Sequence, residues 1–215
     1  MTFFVLLLAV PAQAQLAPLV PRDDGADDPS FVLFRARLVE AIARRDAETV
    51  LSFFAPEARL SFGGTDGGPA GVRQVWYENG RPRPDFWAEL GSVVALGSIR
   101  DPQPPTPAYD DGEVLITAPY TFAGFPQELD AFEHVAVLGE NVRVRSAPSL
   151  DSEVLTALTY TAVPSRGGGE WTPITLADGR EGFISSAYVR SPIDYRIGFL
   201  KRSGRWSIVF FIAGD

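Results

Sequence analysis

Cysteine is absent from the 215 residues, and histidine occurs once, as His134. Without a thiol the chain cannot form a disulfide, a thiolate metal site or a cysteine nucleophile. A single imidazole cannot build a multi-histidine zinc site, and it has no cysteine to serve as a base. Lysine is nearly missing too: 18 of the 19 basic residues are arginine, and 27 acidic residues leave a net charge of −8. An acidic chain with no basic stripe is a poor partner for nucleic acid or anionic lipid. No cofactor is implied.

The N-terminus reads MTFFVLLLAVPAQAQ. Its apolar run, Phe3–Val10, is too short to span a bilayer, so no membrane span is expected in the mature chain. Ala12-Gln13-Ala14 follows with the small-x-small form of a secretory cleavage site. Residues 1–14 are therefore read as a signal peptide cleaved near Ala14, although its leading end has no Lys or Arg. The mature protein is expected to be periplasmic or secreted. No cysteine follows the site, which excludes lipid anchoring through one.

The remaining pattern is that of a mixed α+β protein. Residues 15–28 are Pro-rich and then acidic, and read as a disordered lead-in. Order is expected from Pro29-Ser30, with Phe31, Phe34, Leu38, Ala41 and Ile42 at helical spacing. Asp46 suits the cap of a second short helix holding Val50, Leu51, Phe53 and Phe54 and ended by Pro56. A strand is read over Arg59–Phe62 and helices over Val72–Tyr77 and Phe86–Leu96. Four prolines make Asp101–Gly112 a loop, and Glu113–Tyr120 returns as a strand. Tyr195–Ala213 has a hairpin pattern around Ser203-Gly204.

Between these pieces lies Asn141–Val189, with short apolar runs bounded by Gly, Pro, Ser and Asp. Asp178-Gly179 marks a tight hairpin turn. In order, the segment supplies Asn141, Val144, Arg145, Pro148, Ser149, Val154, Trp171, Asp178, Gly179, Gly182, Phe183, Ile184, Tyr188 and Val189. At these offsets it resembles a bacterial SH3-like (SH3b) domain, with Ala147 where many members carry Gly. The resemblance implies a small all-β SH3-like barrel that binds wall-derived or peptide ligands; it does not imply a reaction. Arg143, Arg145, Trp171, Phe183 and Tyr188 are its candidate binding residues. An exposed aromatic beside Arg can grip a peptide by stacking and by a guanidinium–carboxylate fork. Structural roles compete: Phe183 and Tyr188 can close the barrel, and Arg145 can pin the following loop.

The flanking order of helices, a strand ending in Gly-Gly and a closing G-R-W-S-I strand resembles the SnoaL-like (nuclear-transport-factor-like) α+β cone. The expected organisation is an SH3b domain at 134–192 within an α+β domain of 29–133 plus 193–215; the alternative is a helical N-domain followed in tandem by an SH3b domain with an extra hairpin. Net charges of −9 over 15–134 and +2 over 193–215 favour docking of the outer pieces. The resemblance implies a cone lined by aromatics, with Trp76, Trp87, Tyr120, Arg196 and Trp206 as candidate pocket residues and Asp66 as a further polar member. Plain core is the competing role for those aromatics.

Other constellations carry little chemistry. His134 reads as a structural hydrogen-bonding residue. Asp23-Asp24 and Asp110-Asp111 lack the alternating spacing of a calcium loop, and the glycines of 61–72 lack the lysine of a phosphate loop. The functional expectation is an exported, non-catalytic protein of the cell envelope that binds peptide or peptidoglycan fragments. Two alternatives are an enzyme or small-molecule carrier using the cone, and a scaffold in which the barrel only packs on its host.

Overall fold

The computed structural model describes residues 16–63, 67–101 and 112–214. Asp66, Asp110-Asp111 and the residues 1–14 read as a signal peptide lie outside the described residues. In chain order the elements begin with β1 (Ala17–Pro18), a 3₁₀ turn at Asp24–Asp27, α1 (Pro29–Arg44) and α2 (Ala47–Ser52). Next come β2 (Phe54–Arg59), α3 (Gly68–Trp76), the hairpin of β3 (Tyr77–Glu78) with β4 (Arg81–Pro82), and α4 (Pro84–Ala95). Then follow β5 (Ile99–Arg100), β6 (Val114–Ala118), α5 (Tyr120–Ala123), β7 (His134–Val137), β8 (Val142–Arg145) and β9 (Val154–Leu158). The chain continues through β10 (Thr161–Pro164), β11 (Trp171–Thr175), β12 (Glu181–Ser185), β13 (Val189–Arg190), β14 (Arg196–Arg202) and β15 (Arg205–Ile212). The architecture is mixed α+β.

These elements form two units, one from Met1–Pro18 with Glu128–Arg190 and one from Leu19–Gln127 with Ser191–Asp215. The second unit is built on a five-stranded sheet in the order β2-β15-β14-β6-β5. Its β14–β15 hairpin turns at Ser203 and Gly204, whose φ of 49° and 77° are the paired positive values that match strand twist. β14 pairs antiparallel with β6, and β15 pairs parallel with β2. Phe31, Phe34 and Leu38 of α1 and Phe86 and Leu90 of α4 pack with Ile116, Ile197, Phe199 and Phe211 of the sheet. The spacing of Phe31, Phe34, Leu38 and Ala41 explains α1: one face is apolar and all four are buried.

The 15–28 reading needs correction, because described residues 16–28 are ordered. Asp23 pairs with Arg35 at 2.6 Å and accepts from the Ser98 hydroxyl at 2.7 Å. Backbone bonds join Asp24 N–H to Ser98 O at 2.8 Å and Ser98 N–H to Arg22 O at 3.0 Å. Acidic residues that look solvated in the sequence thus find partners distant in the chain. The second helix is also shorter than expected, ending at Ser52 with Phe54 already in β2. Pairing with β15 overrides local helical spacing there: Ile208 N–H donates to Phe53 O at 2.7 Å. Pro56 lies inside β2 instead of ending a helix, as an edge strand permits. The strand expected at Arg59–Phe62 therefore ends at Arg59.

The smaller unit contains two four-stranded sheets, β1-β10-β7-β13 and β11-β12-β8-β9. Val137, Val144, Val163, Ile174 and Ile184 form its core, with Leu16 and Leu155 packed at the margin. Gly182 is required in β12 by close approach: a Cβ there would lie 2.4 Å from a methyl of Val144.

Asp28 starts α1 by accepting from Ser30 N–H at 2.8 Å and Phe31 N–H at 3.2 Å, and it meets Lys201 Nζ at 3.2 Å. The Ser30 hydroxyl bond leads in lowering its carboxyl from 3.8 to about 2; burial opposes this, and the Lys201 bond adds to it. Asp28→Ala should lower unfolding free energy in urea by about 1 kcal/mol at neutral pH. Because the folded carboxyl is the stronger acid, this contribution is complete above the unfolded value near 3.8 and fades as pH falls towards about 2. Wild type and variant should converge in stability over that interval.

Candidate functional site

Alternation along the β11–β12 hairpin sets up one surface of the smaller unit. Thr172, Ile174 and Ile184 point into the core, which leaves Trp171, Pro173 and Phe183 half-buried on the other face. Trp171 stands opposite Ser185 in the antiparallel register, and Pro173 opposite Phe183. The connecting loop is Ala177, Asp178 and Gly179, one residue longer than the two-residue turn suggested by Asp-Gly. Only Gly179 has positive φ, at 83°, and its N–H donates to Leu176 O at 2.8 Å. Asp178 accepts from the Arg180 backbone N–H at 3.0 Å, the chief cause of its lowered carboxyl pKa.

Trp171 forms part of the wall of a groove of about 620 Å³, with Ser149, Leu150, Asp151, Glu170, Ser185, Ser186 and Ala187. The loop carrying the first three is held from within. Arg145 is buried to 9% exposure, and its guanidinium donates to Ser152 O at 2.7 Å. The Ser152 hydroxyl reaches Ala147 O and Ser149 O, each at 2.8 Å. On the other wall, Ser186 N–H donates to Glu170 O at 2.9 Å, and the hydroxyls of Thr172 and Ser186 are 2.7 Å apart. Both walls are thereby held in place without a ligand. Leu150 remains 73% exposed at the edge.

Of the five candidate binding residues, the groove takes up only Trp171. Arg145 is a loop-positioning residue, since its guanidinium is committed to a backbone carbonyl. Arg143 is exposed on β8, Tyr188 is 54% exposed, and Phe183 pairs in register with Arg145. Leu150, Asp151 and Glu170 were not singled out from the sequence. Their only signal was proximity to the Pro148-Ser149 and Trp171 motif positions. A second groove, of about 640 Å³, is lined by Phe132, Pro164, Arg166, Pro173 and Glu181 among others. His134 is buried, with Nδ1 2.7 Å from Asp130 O. Since a carbonyl only accepts, that nitrogen donates, which is a structural role.

The candidate pocket residues of the larger unit are engaged in packing. Trp76 is 1% exposed, against Tyr195 at 4.8 Å and Phe211 at 5.4 Å between ring centroids. Trp206 belongs to another ring cluster, 4.9 Å from Phe31, with its indole N–H donating to Ser30 Oγ at 2.9 Å. Trp87 packs on Phe86 at 5.1 Å, and Tyr120 is buried. The Arg196 guanidinium lies 4.5 Å from the Phe122 ring centroid. Among the described residues, no group of three His, Asp or Glu side chains is placed to hold a metal ion. No helix among them is long and apolar enough to cross a membrane.

Arg145→Ala should cost about 1–3 kcal/mol of stability, because it leaves a partly buried carbonyl without its charged donor. Amide hydrogen exchange should rise at Ser149 and Ser152 above the rise at β14. Equal acceleration everywhere would mean that Arg145 does not hold the loop.

No family model matches the sequence, and no curated protein matches it. A solved structure of a protein of unknown function with a cystatin-like fold, from Nostoc punctiforme, is similar at 12% identity and TM-score 0.28, covering 89% of this chain and 92% of that one. A second, from Xanthomonas campestris, is a candidate calcium/calmodulin dependent protein kinase II association domain. It is similar at 10% identity and TM-score 0.33, covering 93% of this chain and 98% of that one.

Proposed function

We propose that the protein is an exported, non-catalytic binding protein of the cell envelope whose 128–190 unit is an SH3b-type barrel. On this reading the barrel domain is inserted into an α+β domain and grips peptide or peptidoglycan-derived ligands at the Trp171 groove. The groove itself carries the proposal: a half-buried indole between two loops that internal hydrogen bonds hold in place. A site held in place before binding loses less conformational freedom on association. The leader pattern at 1–14 supports export, and the ordered run of motif residues supports the barrel assignment.

Purified protein should co-sediment with isolated peptidoglycan, and Trp171→Ala should reduce the bound fraction about tenfold or more, as loss of a central aromatic anchor does. Circular dichroism of the variant should match wild type. Failure of the wild type to sediment would overturn the reading. Retention by both proteins alike would move the site away from Trp171.

A further inference from the structure

We infer that the Trp171 groove selects peptides carrying a positively charged side-chain amine, an inference that rests on the peptide-binding reading above. The charged residues of its lining are Asp151 and Glu170, and both are exposed. Neither carboxylate is ion-paired among the described residues. No Arg or Lys lines the groove.

The arginines of this unit are placed elsewhere. Arg145 is bound to Ser152 O, Arg180 is paired with Asp178 at 2.8 Å, and Arg166 lines the second groove. Arg143, exposed on β8, and Arg190, on β13, lie outside the lining. Residues 128–190 hold nine acidic and five basic side chains, net −4, so the field around the groove has the same sign as its lining.

The chemistry that fits is a protonated amine on an aliphatic stem. An indole face attracts a cation, two carboxylates supply charge-assisted acceptors, and exposed Leu150 offers apolar surface to the methylenes. A carboxylate in the same place would meet two like charges with no guanidinium to offset them. The ligand group recognised here is thus opposite in sign to the one that an arginine fork would take.

The test is calorimetric titration of the full mature chain with two ligands at low salt. One is a peptidoglycan stem peptide with lysine at its third position, and the other is its Nε-acetyl-lysine derivative. The free amine should bind about tenfold more tightly, and the difference should shrink as salt screens the carboxylates. The Asp151→Asn, Glu170→Gln double variant, which leaves side-chain shape intact, should bind both peptides at the acetylated peptide's level. Equal binding of both by wild type would overturn the inference and leave the peptide-binding reading standing. Selectivity surviving in the double variant would overturn the assignment to these carboxylates. Binding of neither peptide would overturn the inference together with the reading beneath it.

Discussion

β14 occupies an interior position in the five-stranded sheet, hydrogen-bonded to β15 on one side and β6 on the other. The larger unit depends on that placement, because Ile197 and Phe199 from this strand join the helices' apolar faces in one core. Yet β14 follows the whole 128–190 segment in sequence. The sheet cannot be completed until the chain has passed through that segment and returned. Such long-range pairing makes topology, more than local propensity, the controlling constraint on this fold.

The smaller unit solves a different problem. Its strands are short and its core is small, so ordered loops must come from specific polar contacts as well as from apolar burial. One guanidinium, buried and aimed at Ser152 O, organises the loop that supplies Ser149, Leu150 and Asp151 to the groove. One of the two arginines that the sequence offered for a carboxylate fork is thereby used in architecture, while Arg143 lies outside the groove lining. What remains to face a ligand is an indole, a leucine and two carboxylates, and the sign of the site follows from that reassignment.

Much of the local structure was legible from residue order. The apolar spacing of α1, the cap at Asp46, the hairpin at Ser203-Gly204 and the alternating strands around Trp171 all follow from short-range stereochemistry. The misread places share one cause. The 16–28 segment is held by Arg35 and Ser98, and β2 displaces the end of α2 because β15 offers it backbone partners. In each case the deciding partner lies far along the chain, where no local pattern can reveal it. For the site, Trp171 stood out because it falls at the aromatic position of the motif, where an exposed ring can grip a peptide by stacking. Asp151 and Glu170 did not, since isolated surface acids in loops look like ordinary solvation.

The sequence by itself determined which chemistry is missing: no thiol, one imidazole and no basic stripe, all properties of composition that folding cannot alter. It also determined where the backbone turns and which faces of its helices and strands are apolar, because these depend on neighbours within a few residues. Only the tertiary structure decided that Arg145 faces inward while Asp151 and Glu170 face the groove. That choice depends on the space and hydrogen-bond partners offered by loops distant in the chain, which exist only once the strands have paired.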